Sequence, residues 1–188
     1  PDPSGVVTVT AGSTANDEAR LTWATNTSFV DMDRRPVFLF RFRIPALASK
    51  TVTVGLWKDS NEYAHLSFTA ATSAYFQFIS QGGGTGAVTN TSGVRAVANV
   101  WYVLEIGVGE ARGSGATKKF PISANLYLPS PQASPRQVAA SGNIIWDAAG
   151  SEDTWHPRVN VINTLTGAIR AVDCDLMAVT ADRTAQLY

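Results

Sequence analysis

Hydrophobic and polar residues alternate along much of the chain, most regularly over residues 35–78. Four segments there have hydrophobic side chains at every second position: Phe38, Phe40, Phe42 and Ile44; Val52, Val54 and Leu56; Ala64, Leu66 and Phe68; Phe76 and Phe78. A period of two places successive side chains on opposite faces of a β-strand. Each strand would then have one buried face and one solvent-facing face. The pattern therefore predicts four strands of an antiparallel sheet in a β-sandwich.

Further segments with strand-like patterns lie on both sides of this region. They are 6–10, 19–29, 87–91, 99–108, 120–128, 143–146, 158–162 and 168–179. The glycine-rich segments 82–86 and 107–117 are predicted loops, the proline-rich segment 129–140 a long surface crossing, and 148–153 a short turn. No long helix is predicted. We expect about ten to twelve strands in one all-β domain that spans residues 1–188.

The charge balance narrows the possible partners. Fifteen basic and fifteen acidic residues give a formal net charge of zero. Nucleic-acid binders and proteins steered to anionic membranes need an excess of positive charge, so neither class is expected. No apolar run approaches the roughly 20 residues that a membrane-spanning helix needs. The one cysteine, Cys174, lies in an apolar strand segment and is predicted to be a buried thiol without a disulfide partner.

Five segments resemble a known superfamily in their order and spacing. They are 38–45, 54–59, 63–68, 101–106 and 125–127, which include an aromatic strand, a Gly-Leu-Trp strand and a later Trp-Tyr strand. This succession resembles the concanavalin A-like jelly-roll superfamily of legume lectins, pentraxins and laminin-G modules. The resemblance implies an antiparallel jelly-roll β-sandwich. Glycan-binding domains, polysaccharide lyases and phage tail or capsid-surface proteins share such folds, so the fold alone does not choose a function.

The side chains opposite the predicted core are the candidates for binding. They are Arg41, Arg43, Trp57, Tyr63, His65, Tyr75 and Gln77. If the four strands form one sheet, these residues share a polar and aromatic surface that suits a glycan, because aromatic rings pack on sugars and the polar groups bind hydroxyls or carboxylates. The alternatives are an ordinary solvated sheet face or a face covered by a neighbouring subunit. Jelly rolls also divide successive strands between two sheets, which would separate some of these residues.

A catalytic version of this face is the alternative hypothesis. In a polysaccharide lyase of this fold, His65 would act as general base, Arg41 or Arg43 would neutralise a uronate, and Gln77 or a tyrosine would assist. The sequence departs from the lyase patterns, since it has no Arg-x-Glu-Leu, Gln-x-His or Tyr-Phe-Lys segment.

Glycoside hydrolysis would need two carboxylates about 5–10 Å apart. The strand-borne acids predicted from the sequence are Glu105, Asp173 and Asp175, and the Glu-x-Asp-x-Glu pattern of jelly-roll glucanases is absent. Asp173 and Asp175 share one face of a strand. We expect them to pair with arginines such as Arg41, Arg43 or Arg170, or to face water.

Two loops carry clustered acidic side chains that could bind a metal ion. Asp59, Asn61 and Glu62, or Asp31 and Asp33, supply the oxygen ligands that calcium prefers, although clustered loop acids are usually solvated turn residues. No cofactor is therefore expected, with calcium as the exception left open.

The sequence favours a non-catalytic β-sandwich module at an exposed surface, either extracellular or on a virion. It would be a virion decoration or tail-attachment protein, or a glycan-binding module. Its expected partners are a glycan or neighbouring protein subunits, which include further copies of the same chain.

Overall fold

A computed structural model of the protein describes residues 5–22, 32–82, 86–113, 119–128, 136–147 and 155–180. A 3₁₀ turn at Met32–Arg34 is accompanied by twelve strands. These are β1 (Val7–Ala11), β2 (Glu18–Thr22), β3 (Val37–Arg43), β4 (Lys50–Trp57), β5 (Tyr63–Thr69), β6 (Tyr75–Gln81), β7 (Val88–Arg95), β8 (Trp101–Val108), β9 (Lys119–Leu128), β10 (Arg136–Asp147), β11 (His156–Asn163) and β12 (Arg170–Thr180).

The strands form two six-stranded sheets. Sheet A has the order β1-β12-β3-β8-β9-β10, and sheet B has the order β2-β11-β4-β5-β6-β7. Every neighbouring pair within the sheets is antiparallel. The predicted antiparallel jelly-roll β-sandwich is confirmed. Among the described residues, no helix has the length and apolar character of a transmembrane segment.

The core lies between the two sheets and consists of the hydrophobic positions that the alternation marks. Over residues 38–78, all of these positions are at most 3% exposed. Aromatic side chains join the layers: the Phe76 ring of sheet B lies 4.9 Å from the Tyr102 ring and 6.1 Å from the Phe42 ring of sheet A. The Tyr102 hydroxyl accepts a hydrogen bond from the Val97 amide at 3.0 Å. Cys174 is buried as predicted, and burial raises the pKa of its thiol to about 11.

The four regularly alternating segments do not form one sheet. The first, β3, lies in the middle of sheet A, whereas β4, β5 and β6 are consecutive neighbours in sheet B. An alternation with a period of two indicates only that one face of a strand is buried. Either sheet of a sandwich meets that condition, so the alternation could not reveal that the chain crosses the core between β3 and β4.

The segment after Leu128 differs from the prediction as well. Strand β10 begins at Arg136 and pairs with β9, so the second half of the predicted crossing 129–140 belongs to a strand. Its register shifts between Gln137 and Ala139, and again between Ala140 and Asn143. Such irregularities at a sheet edge blur the period of two that marks a strand in a sequence. The predicted turn at 148–153 and the end of the predicted strand 19–29 lie outside the described residues.

Candidate functional site

Three rings lie against one another on the outer face of sheet B. Trp57, the last residue of β4, stands directly opposite Tyr63, the first residue of β5. Their ring centroids are 5.3 Å apart with an interplanar angle of 12°. His65 lies two residues further along β5 on the same face, and its ring is 4.9 Å from that of Tyr63. We call Trp57, Tyr63 and His65 the aromatic cluster.

Arg158 covers this cluster from the other side of β4. Its guanidinium carbon lies 4.4 Å from the centroid of the Trp57 ring, within the range of a cation–π contact. Arg158 comes from β11 and Tyr63 from β5, which are the two neighbours of β4. Trp57 is therefore held between a guanidinium and a phenol.

Gly55 makes this arrangement possible. It pairs with Arg158 on one side and with His65 on the other. A Cβ atom at this position would lie 2.4 Å from the carbonyl oxygen of Ala64 and 2.6 Å from the Cα atom of His65. The backbones approach too closely for any side chain, so only glycine leaves Arg158 and His65 their present places.

The imidazole of His65 is held in its neutral form. Burial, with the positive charge of Arg158 as a second cause, lowers the pKa of His65 to about 4. Its Nδ1 atom is buried and has no hydrogen-bond partner among the described residues. A neutral imidazole can donate from one nitrogen and accept at the other, so the buried Nδ1 atom is an unsatisfied hydrogen-bonding group.

A carboxylate and a second arginine extend the site to the edge of sheet B. Glu18 on β2 accepts hydrogen bonds from Nη2 of Arg158 and from Nη2 of Arg20, each at 2.5 Å. The hydrogen bond from Arg20 lowers the pKa of Glu18, which stays lowered although burial opposes the shift. Two guanidinium groups thus face one carboxylate, so the local charge from the described residues is positive.

Two further buried polar atoms are unsatisfied beside this carboxylate. Arg158 is 7% exposed and Asn160, the next outward residue of β11, is 4% exposed. Nε of Arg158 and Oδ1 of Asn160 have no hydrogen-bond partner within the described part of the chain. Orphaned buried groups are rare in folded proteins because each one costs stability, and they mark places where a ligand or water is expected.

The structure brings together only part of the predicted site. Trp57, Tyr63 and His65 form the aromatic cluster, and the Tyr63 hydroxyl donates to Oε1 of Gln81 at 2.8 Å. Gln77 lies on the same outer face, opposite Ser67 of β5. Tyr75 is exposed at the far end of β6, about 20 Å from Gln81 at 3.3 Å per residue.

Arg41 and Arg43 do not belong to this surface. Both lie on β3, so their side chains occupy the outer face of sheet A, on the opposite side of the sandwich. Each guanidinium lies over the ring of Trp101, at 4.8 Å and 4.9 Å respectively. The expectation that these seven residues share one face is wrong for the two arginines, because β3 and β4 belong to different sheets.

The aspartates of β12 pair with these arginines, as the sequence suggested. Arg43 donates to Asp173 through Nε and Nη2, and Arg41 donates to Asp175 at 2.5 Å. Glu105, on the same sheet, accepts a hydrogen bond from Asn125 at 2.9 Å.

Sequence reasoning missed most of the polar half of the site. Glu18, Arg20, Arg158 and Asn160 were not proposed, and Glu18 is a strand-borne acid that the set of Glu105, Asp173 and Asp175 omitted. The available signal was the spacing of two in Glu18-x-Arg20 and Arg158-x-Asn160. That spacing gives each pair a common face, but only the sheet order places the two pairs beside Trp57.

The loop of Asp59, Asn61 and Glu62, for which calcium was left open, is arranged as a turn. Glu62 forms an ion pair with Lys58, and Oδ1 of Asp59 accepts a hydrogen bond from the Asn61 amide at 2.7 Å. Across the described residues, no group of three or more His, Cys, Asp or Glu side chains is placed to hold a metal ion. Asp31 lies outside the described residues.

Comparison with known proteins gives no sequence family. No protein-family model and no curated protein sequence matches the chain. Solved structures do match. A protein of unknown function from Shewanella oneidensis MR-1 superposes with a TM-score of 0.66 and 13% identity, over 100% of this chain and 74% of the other.

Two further matches are a lyase and a lectin-like domain. Endo-β-1,4-glucuronan lyase from the fungus Trichoderma reesei matches with a TM-score of 0.55 and 13% identity, over 94% of this chain and 80% of the lyase. A legume lectin-like domain from Entamoeba histolytica matches with a TM-score of 0.53 and 9% identity, over 94% and 84%. At these identities the likeness shows the fold alone, and that fold is a concanavalin A-like β-sandwich.

Proposed function

We propose that the outer face of sheet B binds saccharides and that the protein is a non-catalytic glycan-binding module. One observation carries the proposal: the aromatic cluster lies directly beside buried polar atoms of His65, Arg158 and Asn160 that have no partner among the described residues. Saccharides combine apolar C–H surfaces with hydroxyl groups. Aromatic rings next to unused donors and acceptors match both, and a ligand would reach these buried atoms by displacing the side chains that cover them.

The face is ordered before a ligand arrives. Trp57 is packed between Arg158 and Tyr63, and the Tyr63 hydroxyl is held by Gln81. Side chains that are already fixed lose little conformational freedom on binding, which favours affinity. The face also extends along β6 to Tyr75, about 20 Å away, so it has room for an oligosaccharide rather than a single sugar.

The structural neighbours support this class of function. The lectin-like domain and the glucuronan lyase are both carbohydrate proteins by their descriptions, and each shares the sandwich over 94% of this chain. An argument from a shared fold is one by analogy, and it does not identify a ligand. The chemistry of the outer face is the independent argument.

A glycan array with two tryptophan variants tests the proposal. Trp57→Ala removes the centre of the aromatic cluster and is expected to abolish or strongly weaken the array signal. Trp101→Ala is the matched control, because Trp101 also contacts arginines through its ring but lies on sheet A. Both variants are first checked for folding by thermal unfolding. Unchanged binding by folded Trp57→Ala would exclude this face.

A uronate lyase is the second candidate. The structure supports it through the proximity of Arg158 to His65, which suits a uronate beside a base, and the fold is that of the Trichoderma reesei glucuronan lyase. A His65 pKa of about 4 argues for binding instead, because an effective general base has a pKa near the working pH.

The lyase is tested by incubating the protein with uronate polymers and following the absorbance of unsaturated products. If products form and His65→Ala abolishes their formation, the protein is an enzyme and not a non-catalytic binding module.

The virion roles and the extracellular location stay predictions. None of the three similar structures described above is a virion protein by its description.

A further inference from the structure

The guanidinium of Arg158 uses only half of one hydrogen-bonding edge. Nη2 donates to Oε1 of Glu18, whereas Nε, on the same edge, is buried without a partner among the described residues. Nε and Nη2 together form a fork that matches a carboxylate. Arg43 uses both nitrogens of this edge in the same protein, since its Nε and Nη2 donate to one oxygen of Asp173 at 2.9 Å and 2.7 Å.

Glu18 offers this fork only one of its two carboxylate oxygens. Its second oxygen, Oε2, is engaged by Arg20, so one carboxylate spans two guanidinium groups. Glu18 lies on β2, the edge strand of sheet B, and its side chain is 26% exposed. It can therefore move away from Arg158 without disturbing the core.

Neighbouring groups fit a ligand that would take its place. Asn160 has an unused Oδ1 within the described part of the chain and suits a hydroxyl group next to the fork. Arg158 and Arg20 together carry two positive charges against the single charge of Glu18. This excess of positive charge would attract a second carboxylate, whereas it would add nothing to the affinity for a neutral sugar.

We propose that the saccharide bound on this face carries a carboxylate, which occupies the Nε–Nη2 fork of Arg158, and that Glu18 holds half of that fork in the free protein. The inference rests on the proposed saccharide binding and specifies its ligand class as acidic. Glu18 then acts as an internal competitor that the ligand displaces from Arg158.

Calorimetric titration with matched ligands tests the inference. The probes are 1,4-linked glucuronate and galacturonate oligosaccharides and their carboxyl-reduced neutral counterparts. The acidic form is expected to bind about tenfold or more tightly than the neutral form. This ratio of affinities corresponds to the free energy that one charged hydrogen bond contributes. Arg158→Lys keeps the charge but loses the fork, so that preference is expected to shrink several-fold.

Glu18→Gln gives a second readout with the opposite sign. Removing the competing charge is expected to raise the ratio of acidic to neutral affinity several-fold. Arg43→Lys on sheet A is the control and is expected to leave this ratio unchanged. If Arg158→Lys does not fold, Glu18→Gln alone decides.

The outcomes separate this inference from the proposed function. Equal affinity for both forms, or a lower acidic preference in Glu18→Gln, would overturn the acidic ligand while the saccharide-binding face stands. Binding of no saccharide on the array or in the titrations would overturn both.

Discussion

Arg43 donates two hydrogen bonds to a single oxygen of Asp173, across neighbouring strands on the outer face of sheet A. Asp173 is 4% exposed, and Thr8 donates to its other oxygen at 2.8 Å. The carboxylate is therefore largely withdrawn from water, whereas the Arg43 side chain is 34% exposed. A buried ion pair adds little net stability compared with apolar residues in its place. Removing one partner, however, leaves the other charge buried without a counter-charge.

Arg43→Leu is expected to destabilise the protein by about 2 kcal/mol, because Asp173 loses its counter-charge in a poorly solvated place. Arg20→Leu is the comparison. The Arg20 side chain is 54% exposed in its pair with Glu18, so this pair should contribute less than about 1 kcal/mol to the free energy of unfolding. Urea denaturation of both variants gives the two values. Equal losses would contradict the difference in burial on which this prediction depends.

Gly55→Ala is expected to cost about 2–4 kcal/mol of unfolding free energy, because the added methyl group overlaps the backbone of Ala64 and His65. The strand must separate from β5 or rotate, and either change disturbs the aromatic cluster. Gly86→Ala is the control, since a Cβ atom there meets nothing within 4 Å. Near-ultraviolet circular dichroism should change for Gly55→Ala alone, whereas wild-type spectra and stability would show that β4 and β5 accommodate the methyl group.

The sequence predicted the core well and the site only in part, for a physical reason. Burial acts on each strand separately, so Phe38, Leu66 or Phe78 could be placed from local alternation alone. A surface site depends instead on which strands become neighbours. Arg158 meets Trp57 across 101 residues of sequence only because β11 inserts between β2 and β4, and no local pattern records that insertion.

The same reason explains the two misplaced arginines. Arg41 and Arg43 have the outward orientation that was predicted, but on the other sheet. A jelly roll crosses between its layers at connections such as 44–49, where nothing in the sequence distinguishes a crossing from a hairpin.

Lys50 is expected to make stability rise with pH in the alkaline range. The side chain is 1% exposed, its Nζ donates to the Ala171 carbonyl at 2.9 Å, and burial, assisted by Arg170, lowers its pKa to about 8. Between pH 8 and the ordinary value of 10.5, the unfolded chain keeps a proton that the folded chain has lost. Stability therefore increases with pH across that window.

Lys50→Met is expected to remove this increase while changing stability at pH 7 by no more than about 1 kcal/mol, since the lost hydrogen bond is offset by the removed desolvation of a charge. Urea denaturation of wild type and variant at intervals from pH 7 to 10.5 makes the comparison. Parallel curves would show that Lys50 does not titrate in this range.

His65 is expected to act in the same direction in the acidic range. The folded protein takes up a proton on His65 only near pH 4, whereas the unfolded chain does so near 6.5. Between these values the unfolded state binds more protons, so stability falls as pH falls, by at most about 3 kcal/mol from this group. Above pH 6.5 the contribution is fully present.

His65→Phe isolates this effect because phenylalanine keeps an aromatic ring beside Tyr63 and does not titrate. The difference in unfolding free energy between wild type and variant should be constant above pH 7 and shift in favour of the variant between pH 6.5 and 4. The chain has only two histidines, so the proton resonances of the His65 imidazole can be assigned by their loss in the variant and titrated directly. A midpoint near 6.5 would contradict the burial of His65 beside Arg158, on which this prediction depends.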